Sequence, residues 1–220
     1  SAGERCMAVS AVVAVGNIAD KLVSKISDKI DEIKVSPYTD GNSDMGPLIS
    51  KDHMNKVLNY IKIGEKEGAK LIRDGRNIKI QGYENGYFVG PTLFDNVKKE
   101  MDIYKNEIFG PVLSLLRTET YGEATKLVNE HEFGNGASIY TSSGNIARHF
   151  TNSIKIGMVG VNVPIPVPMA FYSFGGWKSS LFGDHHMHGE EGIRFYTKLK
   201  TITSRWINNQ SSPEFKMPTN

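Results

Sequence analysis

Residues 111–162 read PVLSLLRTETYGEATKLVNEHEFGNGASIYTSSGNIARHFTNSIKIGMVGVN, and this stretch decides the fold class. PVLSLLRT (111–118) reads as a strand. YGEATKLVNEHE (121–132) follows with helical spacing. ASIYT (137–141) then reads as a strand, NIARHFTNSI (145–154) as a helix and MVGVN (158–162) as a buried strand ending on a polar tip. Strands alternating with helices predict an α/β architecture, with a largely parallel sheet flanked by helices.

Working towards the amino terminus, YFVGPTLF (87–94) is a further strand, GRNIKIQGYENGY (75–87) a hairpin or loop, and KLI (70–72) a short strand. A helix is expected from about Lys51 to Glu67, capped by Ser50, with Met54, Val57, Leu58 and Ile61 facing inward. SPYTDGNSDMGP (36–47) is dense in turn formers and reads as a loop. From Cys6 an apolar helix is expected to run through Ile18, Leu22, Val23, Ile26, Ile30 and Ile33, whose spacings of three and four make one buried face. At the other end KTITSRWI (200–207) reads as an added or exchanged edge strand, followed by the polar tail NNQSSPEFKMPTN (208–220).

The composition supports a packed core and narrows the function. With 39% hydrophobic and 23% charged residues in 220, disorder is excluded. Lys and Arg total 26 against 24 acidic residues, a net charge of +2, so no electrostatic footprint for nucleic acid is present. A single cysteine rules out an internal disulfide or a multi-cysteine metal site. The longest apolar stretch, MAVSAVVAV (7–15), falls well short of the roughly 20 residues that span a bilayer. No basic segment precedes it as in a secretory signal. The expectation is a soluble, intracellular chain, and the lack of an initiator Met suggests a piece of something longer.

Cys6 is the first candidate for chemistry. At the first turn of the expected helix it would meet the positive end of the macrodipole, with Arg5 beside it, and both favour a thiolate. The alternative is a small buried hydrophobe. Glu107 in EIFGPV (107–112) is an acid in an apolar stretch before a Gly-Pro turn. It could accept hydrogen bonds from a pair of ribose hydroxyls, with Phe109 packed against a flat ring; the alternative is a solvated surface turn. Strand, Pro-rich loop and Gly pair from MVGVN to SFGGWKSS suggest backbone shaped around something small. Trp177 separates Gly176 from Lys178, so this is not a phosphate-binding P-loop, and no G-x-G-x-x-G occurs. DHHMHG (184–189) has three His within four positions but no further ligand to close a metal site, and a solvated or hydrogen-bonding turn is the favoured reading.

GERCMA (3–8), MGPLI (45–49), GYFVGPTLF (86–94), EIFGPV (107–112), MVGVN (158–162), FGGWK (174–178) and FYTKLKTIT (195–203) stand here in an order that resembles the aldehyde dehydrogenase superfamily, from Ser1 to about Ile207. GERCMA, SFGGWKSSLFGD and FYTKLKTITSRW are similar to its CoA-acylating branch, which acts on methylmalonate and malonate semialdehydes. Ser180 stands where most of the superfamily has Gly, which moves the reading away from the hydrolytic members.

The resemblance implies a catalytic domain over residues 1–199, an oligomerisation strand and tail over 200–220, and an upstream NAD-binding Rossmann domain that this chain lacks, so that the isolated chain is inactive. It implies Cys6 as nucleophile, with its own N–H on the oxyanion, Glu107 and Phe109 as NAD contacts, Arg5 as partner of the substrate carboxylate and Phe174 as a wall of the aldehyde pocket. Arg5 could instead tune the thiolate or pair with Glu4, and Phe174 could be plain core. NAD and coenzyme A are the implied cofactors. The implied partners are a small semialdehyde and further copies of the chain as a dimer or tetramer, with no nucleic acid, membrane or metal. The location implied is the mitochondrial matrix in a eukaryote and otherwise the cytoplasm. Two rival classes remain: a cysteine acyl-transfer enzyme without nicotinamide, and a non-catalytic assembly module.

Overall fold

The computed structural model describes residues 2–206. Its main sheet is built on β4, Val112–Thr118, which pairs in parallel with β1, Ala11–Val15, on one side and with β3, Thr92–Asp95, on the other. β2, Lys70–Arg73, closes the far edge antiparallel to β3, with a register shift between Leu71 and Arg73. The order is therefore β1-β4-β3-β2, parallel in two of three pairings. β3 is buried at all four positions, because both of its edges are paired and both sheet faces are covered.

Side-chain alternation along β4 assigns its faces. Leu115 turns towards Ala14 and Ala19, packed with Leu22, Val23 and Ile26 of α1, Ala19–Glu32. Leu116 and Val112 belong to the opposite cluster, with Phe94 and with Val57 and Ile61 of α2, Lys51–Lys66. Ser50 caps α2 by accepting the His53 N–H, and Met54 and Leu58 pack against the core beside Val57 and Ile61, as their spacing predicts. α3, Asp102–Lys105, is a single turn that leads into the EIFGPV segment.

The second part of the chain makes two small ladders. α4, Tyr121–Glu130, starts with a capping box between Thr120 and Glu123 and ends just before β5, Phe133–Gly134. β6, Gly136–Ile139, runs parallel to β7, Met158–Val161, joined through α5, Gly144–Ser153. β8, Trp177–Lys178, pairs antiparallel with β5. α6, Glu190–Tyr196, follows the DHHMHG turn. Phe150, Ile154 and Ile156 form the local core, with Tyr121, Val128, Ala137 and Val159 against them.

The α/β class holds, as a mixed sheet flanked by helices. The helix expected from Cys6 does not. Cys6 lies in a turn, AVVAV is strand β1, a 3-10 turn covers Gly16–Ile18, and α1 begins only at Ala19. A short apolar run fits either period, and here three valines pair with β4 while Gly16, at φ +66°, ends the strand. The helix-start argument for a Cys6 thiolate falls with that correction. The expected strand over 87–94 pairs only from Thr92, because Pro91 cannot donate to a ladder. Residues 200–206 are exposed and without regular secondary structure in this single chain, while Ile207 and the tail lie outside the described residues.

Candidate active site

Cys6 is exposed at the corner of a turn closed by the Ala8 N–H donating to the Arg5 carbonyl at 2.9 Å. The turn is pressed against the EIFGPV segment through two glycines. Gly3, at φ +72°, lies so close to Gly110 that a Cβ would run into the Gly110 carbonyl, and a Cβ on Gly110 would run into Val57. A larger residue at position 3 would have to move backbone, and one at position 110 would have to displace the buried Val57 side chain. The same contact brings Arg5 and Cys6 to Glu107 and Phe109, and the four residues help line one cavity of about 80 Å³.

The Glu107–Phe109 segment is held from α2. Phe109 has φ +59°, a conformation that costs of order 1–3 kcal/mol in a non-glycine residue and persists only where the surroundings enforce it. Its carbonyl lies 2.6 Å from His53 Nε2, and Lys56 Nζ donates to the Glu107 carbonyl at 3.1 Å. His53 Nε2 also lies 3.4 Å from Glu4 Oε1. Its two neighbours, a carbonyl and a carboxylate, are both acceptors, so this nitrogen carries the proton. Glu4 Oε1 in turn accepts the Ile49 N–H at 3.2 Å. Glu4, His53 and Lys56 thus tie the cysteine turn, the start of α2 and the glutamate segment together.

Of the five residues expected at the site, Cys6, Arg5, Glu107 and Phe109 come together in this cavity. Glu4 faces Ile49 and His53, and among the described residues Arg5 enters no ion pair. Phe174 does not line that cavity; its ring stacks against His188 with centroids 5.3 Å apart. The three histidines of DHHMHG find separate partners: His185 Nδ1 sits 2.7 Å from Glu191, His186 Nδ1 2.6 Å from Ser173 Oγ, and His188 meets Phe174. The spacing of Glu4, His53 and Lys56 carries no motif, since each acts on backbone far away in sequence. The one available signal was that His53 and Lys56 flank the inward-facing Met54 and Val57 on a helix already expected.

The aldehyde dehydrogenase family profile matches residues 1–202. Malonate-semialdehyde dehydrogenase from Pseudomonas aeruginosa is 50% identical over 222 residues, an alignment covering 100% of this chain and 45% of that protein. The crystal structure of a putative methylmalonate-semialdehyde dehydrogenase from Sinorhizobium meliloti, complexed with NAD, superposes with a TM-score of 0.92 at 54% identity, covering 96% of this chain and 43% of the other. That of methylmalonate-semialdehyde dehydrogenase from Oceanimonas doudoroffii gives a TM-score of 0.91 at 52% identity, with 94% and 43% covered. The chain therefore spans less than half the length of these relatives. By its sequence profile and its fold, the chain belongs to the aldehyde dehydrogenase family.

Proposed function

We propose that residues 1–199 are the thiol-nucleophile catalytic domain of an NAD-dependent, CoA-acylating methylmalonate- or malonate-semialdehyde dehydrogenase, and that residues 200–220 supply an oligomerisation strand and tail. The observation that carries this is the convergence of Arg5, Cys6, Glu107 and Phe109 on one cavity, together with the names of the relatives.

Each residue has a chemical task. The Cys6 thiolate adds to the aldehyde carbon, forming an Sγ–C bond, and the oxyanion is met by the Cys6 N–H, which has no protein acceptor among the described residues. The Arg5 guanidinium, which enters no ion pair among the described residues, takes the substrate carboxylate bidentately. Glu107 is exposed, and its carboxylate has no hydrogen-bond partner among the described residues. This acceptor beside an aromatic ring fits a ribose diol and a nicotinamide, so Glu107 and Phe109 would hold NAD. Bound NAD supplies a hydride acceptor. The acyl group left on Cys6 loses the substrate carboxylate as CO2, with a proton from solvent taking its place on the α carbon. The CoA thiol then gives up its proton and adds to the thioester carbon, a new S–C bond forms, the Sγ–C bond breaks and the Cys6 thiolate leaves, giving propionyl-CoA or acetyl-CoA. Phe174 is kept as a wall of the aldehyde pocket on the family resemblance alone, since its ring packs against His188 and lies outside the Cys6 cavity. The bacterial origin of the relatives supports a cytoplasmic location and gives no support to a mitochondrial one. Among the described residues no helix is long and apolar enough to cross a membrane.

The test is to join the chain to the complementary portion of the P. aeruginosa relative and supply either semialdehyde, NAD and CoA. NADH and acyl-CoA should form together, Cys6→Ser should abolish both, and Glu107→Gln should weaken NAD binding or hydride transfer by roughly one to two orders of magnitude. The 220-residue chain alone should give no NADH. Free acid in place of acyl-CoA would make the enzyme hydrolytic, and NADH formation that survives Cys6→Ser would end the proposal.

A further inference from the structure

Asn135 lies between β5 and β6, and its side chain reaches across 129 positions of sequence to the cysteine turn. Nδ2 donates to the Cys6 carbonyl at 2.9 Å and lies 3.2 Å from Met7 Sδ. A carbonyl accepts only from the amide nitrogen, which fixes the orientation of this side chain. The backbone that carries it is pinned on both sides. The Gly134 N–H donates to Ser180 Oγ at 3.0 Å, and the Gly134 carbonyl accepts from the Gly157 N–H at 2.9 Å. The Asn135 carbonyl accepts from the Met158 N–H at 3.1 Å. Gly176 backs the side chain: a Cβ there would lie 3.0 Å from the Asn135 Cα and 3.1 Å from its Oδ1. Met7 meanwhile packs into the space left by Gly136.

The consequence lies in the two peptide planes that flank Cys6. The Arg5 carbonyl is turned towards the Ala8 N–H. In a trans peptide, that points the Cys6 N–H the opposite way, out of the turn. The second plane, carrying the Cys6 carbonyl, is set by Asn135. With both planes fixed, the direction of the Cys6 Cα–Cβ bond, from which Sγ projects, is fixed relative to the N–H that would meet an oxyanion. We propose that Asn135, anchored through Gly134 by Ser180, is the positioning residue that holds the Cys6 nucleophile and its N–H in register. This rests on the assignment of Cys6 as nucleophile. It also gives Ser180, noted in the sequence as a departure, a place in the device.

The proposal is tested on the 220-residue chain with two reagents that ask different things of Cys6. The thiolate displaces iodide from iodoacetamide, and no oxyanion forms. With p-nitrophenyl acetate the thiolate adds to the carbonyl carbon, an oxyanion forms, p-nitrophenolate leaves, and an acetyl thioester remains on Sγ. Asn135→Ala and the near-isosteric Asn135→Asp, which cannot donate when ionised, should slow the p-nitrophenolate burst roughly three- to tenfold, the worth of one hydrogen bond. Alkylation should stay within about twofold, because it reads only thiolate and access. A part of the burst should return in Asn135→Gln. An unchanged burst, or a fall in both reactions by the same factor, overturns the proposal, the second outcome marking a purely structural role. A burst that needs Cys6 but ignores Asn135 sinks this proposal alone, whereas a burst that persists in Cys6→Ser sinks the nucleophile assignment with it.

Discussion

Leu93, Phe94 and Leu115 are 0% exposed, whereas Phe182 and Trp206 are 96% and 93% exposed, within a chain of 220 residues. The two regions have similar apolar side chains and opposite surroundings. In the first, β3 and β4 sit between α1 and α2, so each strand residue finds a neighbour on the face it points to. In the second, from Val163 to Trp206, the chain runs through turns, one two-residue strand and one short helix, and leaves Met169, Phe171, Ile193, Tyr196 and Ile202 exposed. An apolar residue states that contact is favourable; it does not state with what. The sheet supplies its own partners, and the carboxyl-terminal region would need another surface, such as a second copy.

The sharpest way to break this comparison is to truncate one aromatic in each region. Phe94→Ala should cost about 3–5 kcal/mol of unfolding free energy, read from urea denaturation. Phe182→Ala should change it by no more than about 0.5 kcal/mol in the isolated chain. Equal losses would mean that the exposed region is packed against something in solution.

A smaller effect should come from the end of the sheet. Arg117 donates to both Asp95 oxygens, at 2.9 and 2.7 Å, and lies 2.8 Å from Asp20. Burial by itself pushes the Asp95 carboxyl up, but the Arg117 hydrogen bonds and the Asn96 N–H outweigh it and hold the carboxyl below its usual range. A folded-state pKa below the unfolded one contributes stability that is present above the usual carboxylate range and lost as pH falls through the folded value. Asp95→Asn should therefore cost about 1.5–3 kcal/mol at pH 7, with the gap to the unaltered chain closing as pH drops below about 4. A gap that does not depend on pH would assign the effect to packing.

The smallest of the three effects concerns the seam between the sheet and the candidate site. His53→Ala removes the donor to the Phe109 carbonyl and should cost about 0.5–1.5 kcal/mol. It should also release Phe109 from φ +59°, read as faster amide exchange over residues 107–110. Unchanged exchange would show that the glycine contacts alone hold that segment.

The same contrast explains what could be read from the residues. The sheet side was legible because its periodicities are local: Val57 and Ile61 mark a helix face, and the apolar run of β4 marks a strand. AVVAV was misread because five residues fit either period, and only the pairing with β4 decides. Cys6, Arg5, Glu107 and Phe109 were visible as two short motifs, GERCMA and EIFGPV. Their meeting depends on Gly3 and Gly110, whose role is to be absent as side chains. Asn135 is not visible in the sequence at all, and His53 and Lys56 show only as neighbours of inward-facing positions on an expected helix. Each holds a carbonyl 51 to 129 positions away, and a backbone acceptor leaves no mark in the sequence of the donor. β5 and β8 are two residues each, too short for any period to register.

On the proposal above, Cys6 is a nucleophile set in a site shared with Arg5, Glu107 and Phe109. The most direct test is to treat the native 220-residue chain with p-nitrophenyl acetate and locate the acetyl group by peptide mass mapping. Cys6 should be acetylated ahead of every lysine, and its acetylation should be suppressed when the chain is unfolded in urea. Acetyl groups spread over exposed lysines with Cys6 unmodified in the native chain would contradict the proposal.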